Sequence, residues 1–108
     1  MNSYPQYKVC IEACLNCTAV CRHCPISCSK EEDPAPLANC IQLNLECAAI
    51  CSAAAELMTI GSERVKDICK LCANMCDACA EECSKHMHDH CRLCAEICTS
   101  CADQCEII

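Results

Sequence analysis

The sequence contains no tryptophan and no phenylalanine, and its only aromatic residues are two tyrosines. A core of packed rings is excluded. Aliphatic bulk is scarce too: seven Leu, nine Ile and three Val stand against 14 Ala in 108 residues, so branched side chains alone cannot fill the interior of even one domain. Positive charge is also short, with eight Lys and Arg against fifteen Asp and Glu. The resulting net charge of -7 argues against nucleic acid or anionic lipid as a partner. No window offers a run of about eighteen apolar residues, so no membrane association is expected. The opening stretch MNSYPQYKVC has no basic cluster, apolar run or twin arginine, and a cytoplasmic location is expected from it. The length suits a single domain spanning residues 1–108.

What is abundant is cysteine, with 19 residues. A reducing cytosol keeps thiols free, and the odd number would leave one unpaired, so metal binding is favoured over a disulfide framework. The cysteines fall in four clusters: Cys10, Cys14, Cys17, Cys21, Cys24 and Cys28; Cys40, Cys47 and Cys51; Cys69, Cys72, Cys76, Cys79 and Cys83; and Cys91, Cys94, Cys98, Cys101 and Cys105. Within each cluster the intervals alternate three and four, apart from one gap of seven. That alternation is the inward stripe of a helix in a bundle, with period 3.5.

Four stripes predict four helices, near residues 5–28, 36–59, 62–84 and 88–106. The breaks between them are KEEDPAP at Lys30–Pro36, Gly61 as a helix-ending glycine followed by Ser62 as an N-cap, and the polar stretch Ser84–His90. Short connections make neighbouring helices antiparallel, giving an all-α, up-down-up-down four-helix bundle with a cysteine-lined core. Two features strain this pattern. Pro25 lies inside the first stripe, where a kink is expected, and Cys28 beyond it is the least securely placed ligand. The second stripe carries Asn44, Ala54 and Met58 at positions that would otherwise accept cysteine.

A single buried cysteine is ordinarily a small hydrophobe. A whole stripe of them on four helices gains nothing in packing over Leu or Val, so a soft metal is implied. Cys-x-x-x-Cys pairs such as Cys10/Cys14, Cys17/Cys21, Cys47/Cys51, Cys72/Cys76, Cys79/Cys83, Cys94/Cys98 and Cys101/Cys105 place two sulfurs on one helix face. With a metal–sulfur bond of about 2.3 Å, taking zinc as a guide, a two-coordinate ion needs sulfurs about 4.5 Å apart. Cu(I) is the abundant biological ion of that kind. One monovalent ion per thiolate leaves the column neutral, and bridging thiolates then give about one Cu(I) per Cys. So large a capacity means storage.

The segments CIEACLNCTAVCRHC, CIQLNLECAAIC, CKLCANMCDACAEEC and HDHCRLCAEICTSCADQC resemble the cytosolic, cysteine-rich four-helix-bundle copper storage proteins of bacteria. The resemblance covers essentially the whole chain. It implies a homotetramer of four-helix bundles, each storing many Cu(I) ions along its core. Separately, no nucleophile–base pair or carboxylate pair recurs in a way that suggests catalysis, so no enzymatic activity is expected. A general zinc or cadmium thiolate sink is the principal alternative. A dithiol redox protein is a second, though its CxxC pairs normally accompany a βαβ pattern that this sequence lacks. An iron–sulfur carrier is a third, but the ferredoxin spacing C-x2-C-x2-C-x3-C never occurs.

In the bundle, the connections after the first and third helices share one end. His23, His86, His88 and His90 therefore gather there with Cys24, Cys28, Cys40, Cys83 and Cys91. His86 and His88 read as polar loop or copper contacts, His90 as a copper ligand beside Cys91, and Met87 as either loop packing or an additional soft ligand. Asn44 either donates to a neighbouring thiolate or sets helix register. The opposite end carries Ala54, Met58 and Val65 on its inward stripe and is expected to be closed. Off the stripe, Ile11, Leu15, Leu71, Met75, Leu93 and Ile97 either widen the core or make subunit contacts.

Overall fold

The computed structural model describes residues 4–108. Four helices dominate it: α1 (Tyr4–Ser29), α2 (Ala38–Thr59), α3 (Val65–Cys83) and α4 (Asp89–Ile107), with a short 3-10 turn at Ala35–Leu37 leading into α2. Among the described residues there is no strand. Helices α1 and α3 each pack against both α2 and α4, so the four stand at the corners of a square. Successive helices are antiparallel, and the molecule is a rod of 51 × 18 × 18 Å. The bundle predicted by the cysteine spacing is therefore the one observed.

The period explains the interior. A stripe repeating every 3.5 residues faces one side of a helix along its whole length, and all 19 cysteines lie between 0 and 3% exposed. Ile11, Leu37, Met58 and Val65 are the larger side chains buried beside them, with Ala48, Ala54, Ala55, Ala73 and Ala102 filling the remaining gaps. The off-stripe apolar residues divide. Ile11 enters the core and Ile97 packs against it, whereas Leu15, Leu71 and Leu93 stay about half exposed on the outside.

Pro25 does not end its helix. Helix α1 continues through it to Ser29, and Pro25 is itself buried. Cys28, one turn further on, is fully buried and 3.9 Å from the sulfur of Cys24. The expectation that Cys28 is poorly placed is thereby corrected. The proline lacks an N–H, but it lies four residues before the helix end at Ser29 and the loss affects only one intrahelical bond.

By length and composition alone, the segment Ala35–Thr59 is apolar enough to cross a membrane, with mean hydropathy 1.2. Its apolarity is that of a core helix. Cys40, Cys47, Ala48, Cys51, Ala54 and Met58 all face the bundle interior, as does the polar Asn44.

The α2–α3 connection is closed by Gly61 at φ 68°, a left-handed backbone. Ser62 N–H donates to the Leu57 carbonyl at 3.0 Å and Gly61 N–H to that of Met58 at 3.3 Å. These two bonds are the Schellman closure that such a glycine permits. Ser62 is not itself the N-cap of α3. Its Oγ accepts from Arg64 N–H at 3.0 Å, and the helix proper begins at Val65. We expect Gly61→Ala to destabilise the reduced, metal-free protein by about 1–2 kcal/mol, since a Cβ is costly at positive φ. The shift in guanidinium midpoint, at unchanged helical circular dichroism, measures it.

Candidate metal centre

The thiols form one connected column. Within single helices, Cys17/Cys21 and Cys47/Cys51 lie 3.8 Å apart and Cys24/Cys28 and Cys94/Cys98 3.9 Å. Several contacts across helices are shorter still: Cys21/Cys98 at 3.5 Å, Cys51/Cys72 and Cys47/Cys76 at 3.6 Å, and Cys10/Cys105 and Cys14/Cys105 at 3.7 Å. The closest pair is Cys40/Cys83 at 3.1 Å, joining the start of α2 to the end of α3. Sequence spacing points to pairs along one helix. The bundle adds pairs between helices, and these turn four stripes into a single site.

Groups of four sulfurs recur down the axis, with all four atoms within 4.8 Å of one another. From the end where α1 begins they are Cys14, Cys72, Cys101 and Cys105; Cys17, Cys51, Cys76 and Cys101; Cys17, Cys21, Cys47 and Cys98; Cys21, Cys79, Cys94 and Cys98; and Cys24, Cys28, Cys40 and Cys91. Among the first four of these groups, each shares at least one member with the next. An ion in one group can thus move to its neighbour by exchanging one thiolate at a time.

Asn44 takes the one stripe position between Cys40 and Cys47, and it is fully buried. Its amide is spent on the column. Nδ2 donates to the Cys40 carbonyl at 2.8 Å and to the sulfurs of Cys40 and Cys83 at 3.3 and 3.6 Å, while Oδ1 accepts from the thiols of Cys94 at 2.6 Å and Cys79 at 3.4 Å. Of the two roles the sequence left open for Asn44, donation to neighbouring sulfur is the one the geometry displays.

The loops after α1 and α3 do meet at one end, but the four histidines there differ. His90 is the one that reaches the column. Its Nδ1 lies 3.5 Å from the sulfurs of Cys24 and Cys91 and 3.8 Å from that of Cys28. On its other side, Nε2 donates to the carboxylate of Glu31 at 2.8 Å. His86 is held by Glu82 at 2.9 Å and is mostly covered, rather than solvated. His23 stays on the outside of α1 beside Ser27. Met87 is 78% exposed on the loop, outside the buried column. At the other end, Ala54 and Met58 are fully buried and Val65 nearly so, as expected of a closed end. Glu31 is the residue of this site that sequence reasoning missed. The three acidic residues in KEEDPAP were visible, but nothing in the spacing says which carboxylate meets which imidazole.

Burial and mutual hydrogen bonding set the thiols' protonation. Burial pushes Cys91 from its ordinary 9.0 up to about 12, with the nearby Cys40 and Cys28 charges adding to it. Cys28 also rises, chiefly through burial. Cys40 moves the other way, to about 3, because the Cys24 and Cys83 thiols donate to it. Thiols such as Cys21, Cys76 and Cys98 are raised as donors to neighbouring sulfur. A group whose pKa rises on folding lends stability that is complete below its unfolded value and is lost as the pH climbs toward the folded one. For Cys91 that window runs from 9.0 to about 12. The urea midpoint of reduced, metal-free protein should therefore fall above about pH 9, and less steeply in Cys91→Ser.

Comparison with known proteins agrees with this geometry. The sequence profile of the copper storage protein family (Csp) matches residues 3–108. An uncharacterised cysteine-rich protein of Bacillus subtilis is 48% identical over 81 residues, which is 75% of each chain. Among solved structures, the metal-free copper storage protein 3 of Bacillus subtilis is 47% identical with a TM-score of 0.88, over 93% of this chain and 95% of that one. The Cu(I)-bound copper storage protein BsCsp3 superposes with a TM-score of 0.89 at 47% identity, over 93% and 94% of the two chains. A cytosolic copper storage protein from Streptomyces lividans, carrying five coppers, gives a TM-score of 0.92 at 35% identity, over 97% and 92%. The column of thiols, the bundle that builds it and the match along nearly its full length agree, and the chain belongs to the copper storage protein family.

Proposed function

We propose that this chain is a cytosolic, high-capacity Cu(I) store, acting as one domain over residues 1–108 and by binding rather than catalysis. All 19 cysteines are its ligands, with His90 as a nitrogen ligand where the column meets solvent. Met87 serves at most as an outer soft ligand on the loop. The observation that carries the reading is the continuity of the column, in which four successive four-sulfur groups share members and Asn44 bridges Cys40 of the group at the histidine end to Cys94.

Continuity also decides between metals. Four sulfurs within 4.8 Å of one another would suit a tetrahedral zinc ion. Yet each zinc tetrathiolate carries a charge of about -2 by formal count, and a row of them would bury that charge with no compensating side chain. A Cu(I) ion per thiolate leaves no net charge, and shared sulfurs are then an asset. A dithiol redox role is less well supported, because every CxxC pair is buried, including Cys91/Cys94 near the start of α4, whereas a redox pair sits exposed at a helix N-terminus. The half-exposed Leu15, Leu71 and Leu93 on the outside of the bundle suit contacts between subunits of a homotetramer.

Anaerobic titration of the reduced protein with Cu(I) should saturate near one ion per cysteine, roughly 15–20 per chain from thiolate bridging. Saturation at four or five ions would support the zinc-type reading instead. Loading should proceed from the histidine end, since that end offers exposed ligands and the other is closed by Met58 and Val65. Replacing His88 and His90 by Ala, or Cys28 and Cys91 by Ser, should slow uptake and release in stopped-flow mixing with a Cu(I)-chelator complex while leaving most of the capacity. Parent-like rates in both variants would refute loading from that end.

A further inference from the structure

Glu31 stands in the loop between α1 and α2, where its Oε2 meets two imidazoles at once. His90 Nε2 lies 2.8 Å from that oxygen, and His88 Nδ1 lies 3.4 Å from the same atom. The two rings are stacked, with centroids 5.3 Å apart and planes 7° from parallel. They therefore turn opposite nitrogens toward one carboxylate oxygen.

A neutral imidazole carries a single N–H, and an adjacent acceptor decides which nitrogen holds it. On His90 the proton belongs on Nε2, leaving the lone pair of Nδ1 facing the sulfurs of Cys24, Cys28 and Cys91. On His88 the contact is longer and lacks hydrogen-bond geometry, but a lone pair on Nδ1 would face the carboxylate oxygen at 3.4 Å, so the proton is favoured on Nδ1 and Nε2 stays open on a side chain that is 42% exposed, against 14% for His90. One ring then offers its free nitrogen outward and the other inward.

We propose that Glu31 is a positioning residue that fixes His88 and His90 as opposite tautomers, so that His88 accepts Cu(I) arriving from solution and His90 hands it to Cys24, Cys28 and Cys91. This rests on the Cu(I)-storage reading above. Glu31 itself does not touch the ion in this scheme. It sets which nitrogen each ring can offer, the role a carboxylate commonly plays behind a metal-bound histidine. Because the carboxylate comes from the loop and the imidazoles from the start of α4, the relay also needs the two connections at this end to stay together.

The test combines a spectroscopic and a kinetic readout on the full chain. In reduced, metal-free, 15N-labelled protein, two-bond proton–nitrogen correlations of the imidazoles should show His88 as the Nδ1–H tautomer, the less common one for a free ring, and His90 as Nε2–H. In Glu31→Ala, His88 should revert to Nε2–H. Cu(I) uptake from a chelator complex should slow roughly tenfold, the scale of effects seen for residues behind metal ligands, with capacity and helical circular dichroism unchanged. Glu31→Gln, which keeps an acceptor oxygen, should recover most of the rate. An Nε2–H tautomer at His88 in the parent, or parent-like uptake by Glu31→Ala, would overturn the proposal while leaving storage intact. A parent protein that took up no Cu(I) would overturn the storage reading and this relay with it.

Discussion

The interior of this protein is governed by charge compensation. Nineteen sulfurs occupy the axis of a rod 18 Å across, and among the described residues no lysine or arginine is buried with them. A buried thiolate without a cation is disfavoured unless neighbouring thiols donate to it, as they do to Cys40, so the metal-free column stays largely protonated and holds itself together by S–H donation between neighbours. A monovalent soft cation can replace each proton and leave the charge as it was. The same restriction shapes the one polar residue in the middle of the column. Asn44 is neutral, and it both donates to and accepts from sulfur, so it serves thiol and thiolate alike.

The helical scaffold follows from that restriction. Cysteine is too small to hold helices together by bulk, so the bundle relies on many close contacts along long helices, and on loops that leave little freedom at the ends. Gly61 closes one end with a left-handed turn, next to Met58 and Val65, which seal the column there. The other end is built from two polar connections that bring carboxylates and imidazoles together. There His88 is exposed and His90 reaches the sulfurs just inside. The bundle is thus asymmetric in chemistry although nearly symmetric in shape.

Much of this was legible in the sequence because the cysteine spacing is itself the helix period. The alternation of three and four at Cys69, Cys72, Cys76, Cys79 and Cys83 fixes both the helix and the face it buries. Gly61 and the proline-bearing loop fixed two of the three connections. What the spacing could not give was contact between stripes. Cys40/Cys83 and Cys21/Cys98 depend on the relative height of neighbouring helices, which loop geometry and packing decide. Pro25 was misleading for a related reason: its effect depends on how close it lies to the helix end and on what buries it. Glu31 was hidden among three consecutive acidic residues, of which only the fold selects one.

The central claim is that each ion in the column is matched by one thiolate, so that the core remains neutral at every stage of loading. Proton release per Cu(I), measured in weakly buffered anaerobic solution near neutral pH with a Cu(I) source that carries no protons, tests it directly. About one proton should be released per ion, at a constant ratio, until saturation. Release of two protons per ion, with saturation at about half the number of thiols, would mean isolated dithiolate ions each leaving a negative charge in the core, and would contradict the account.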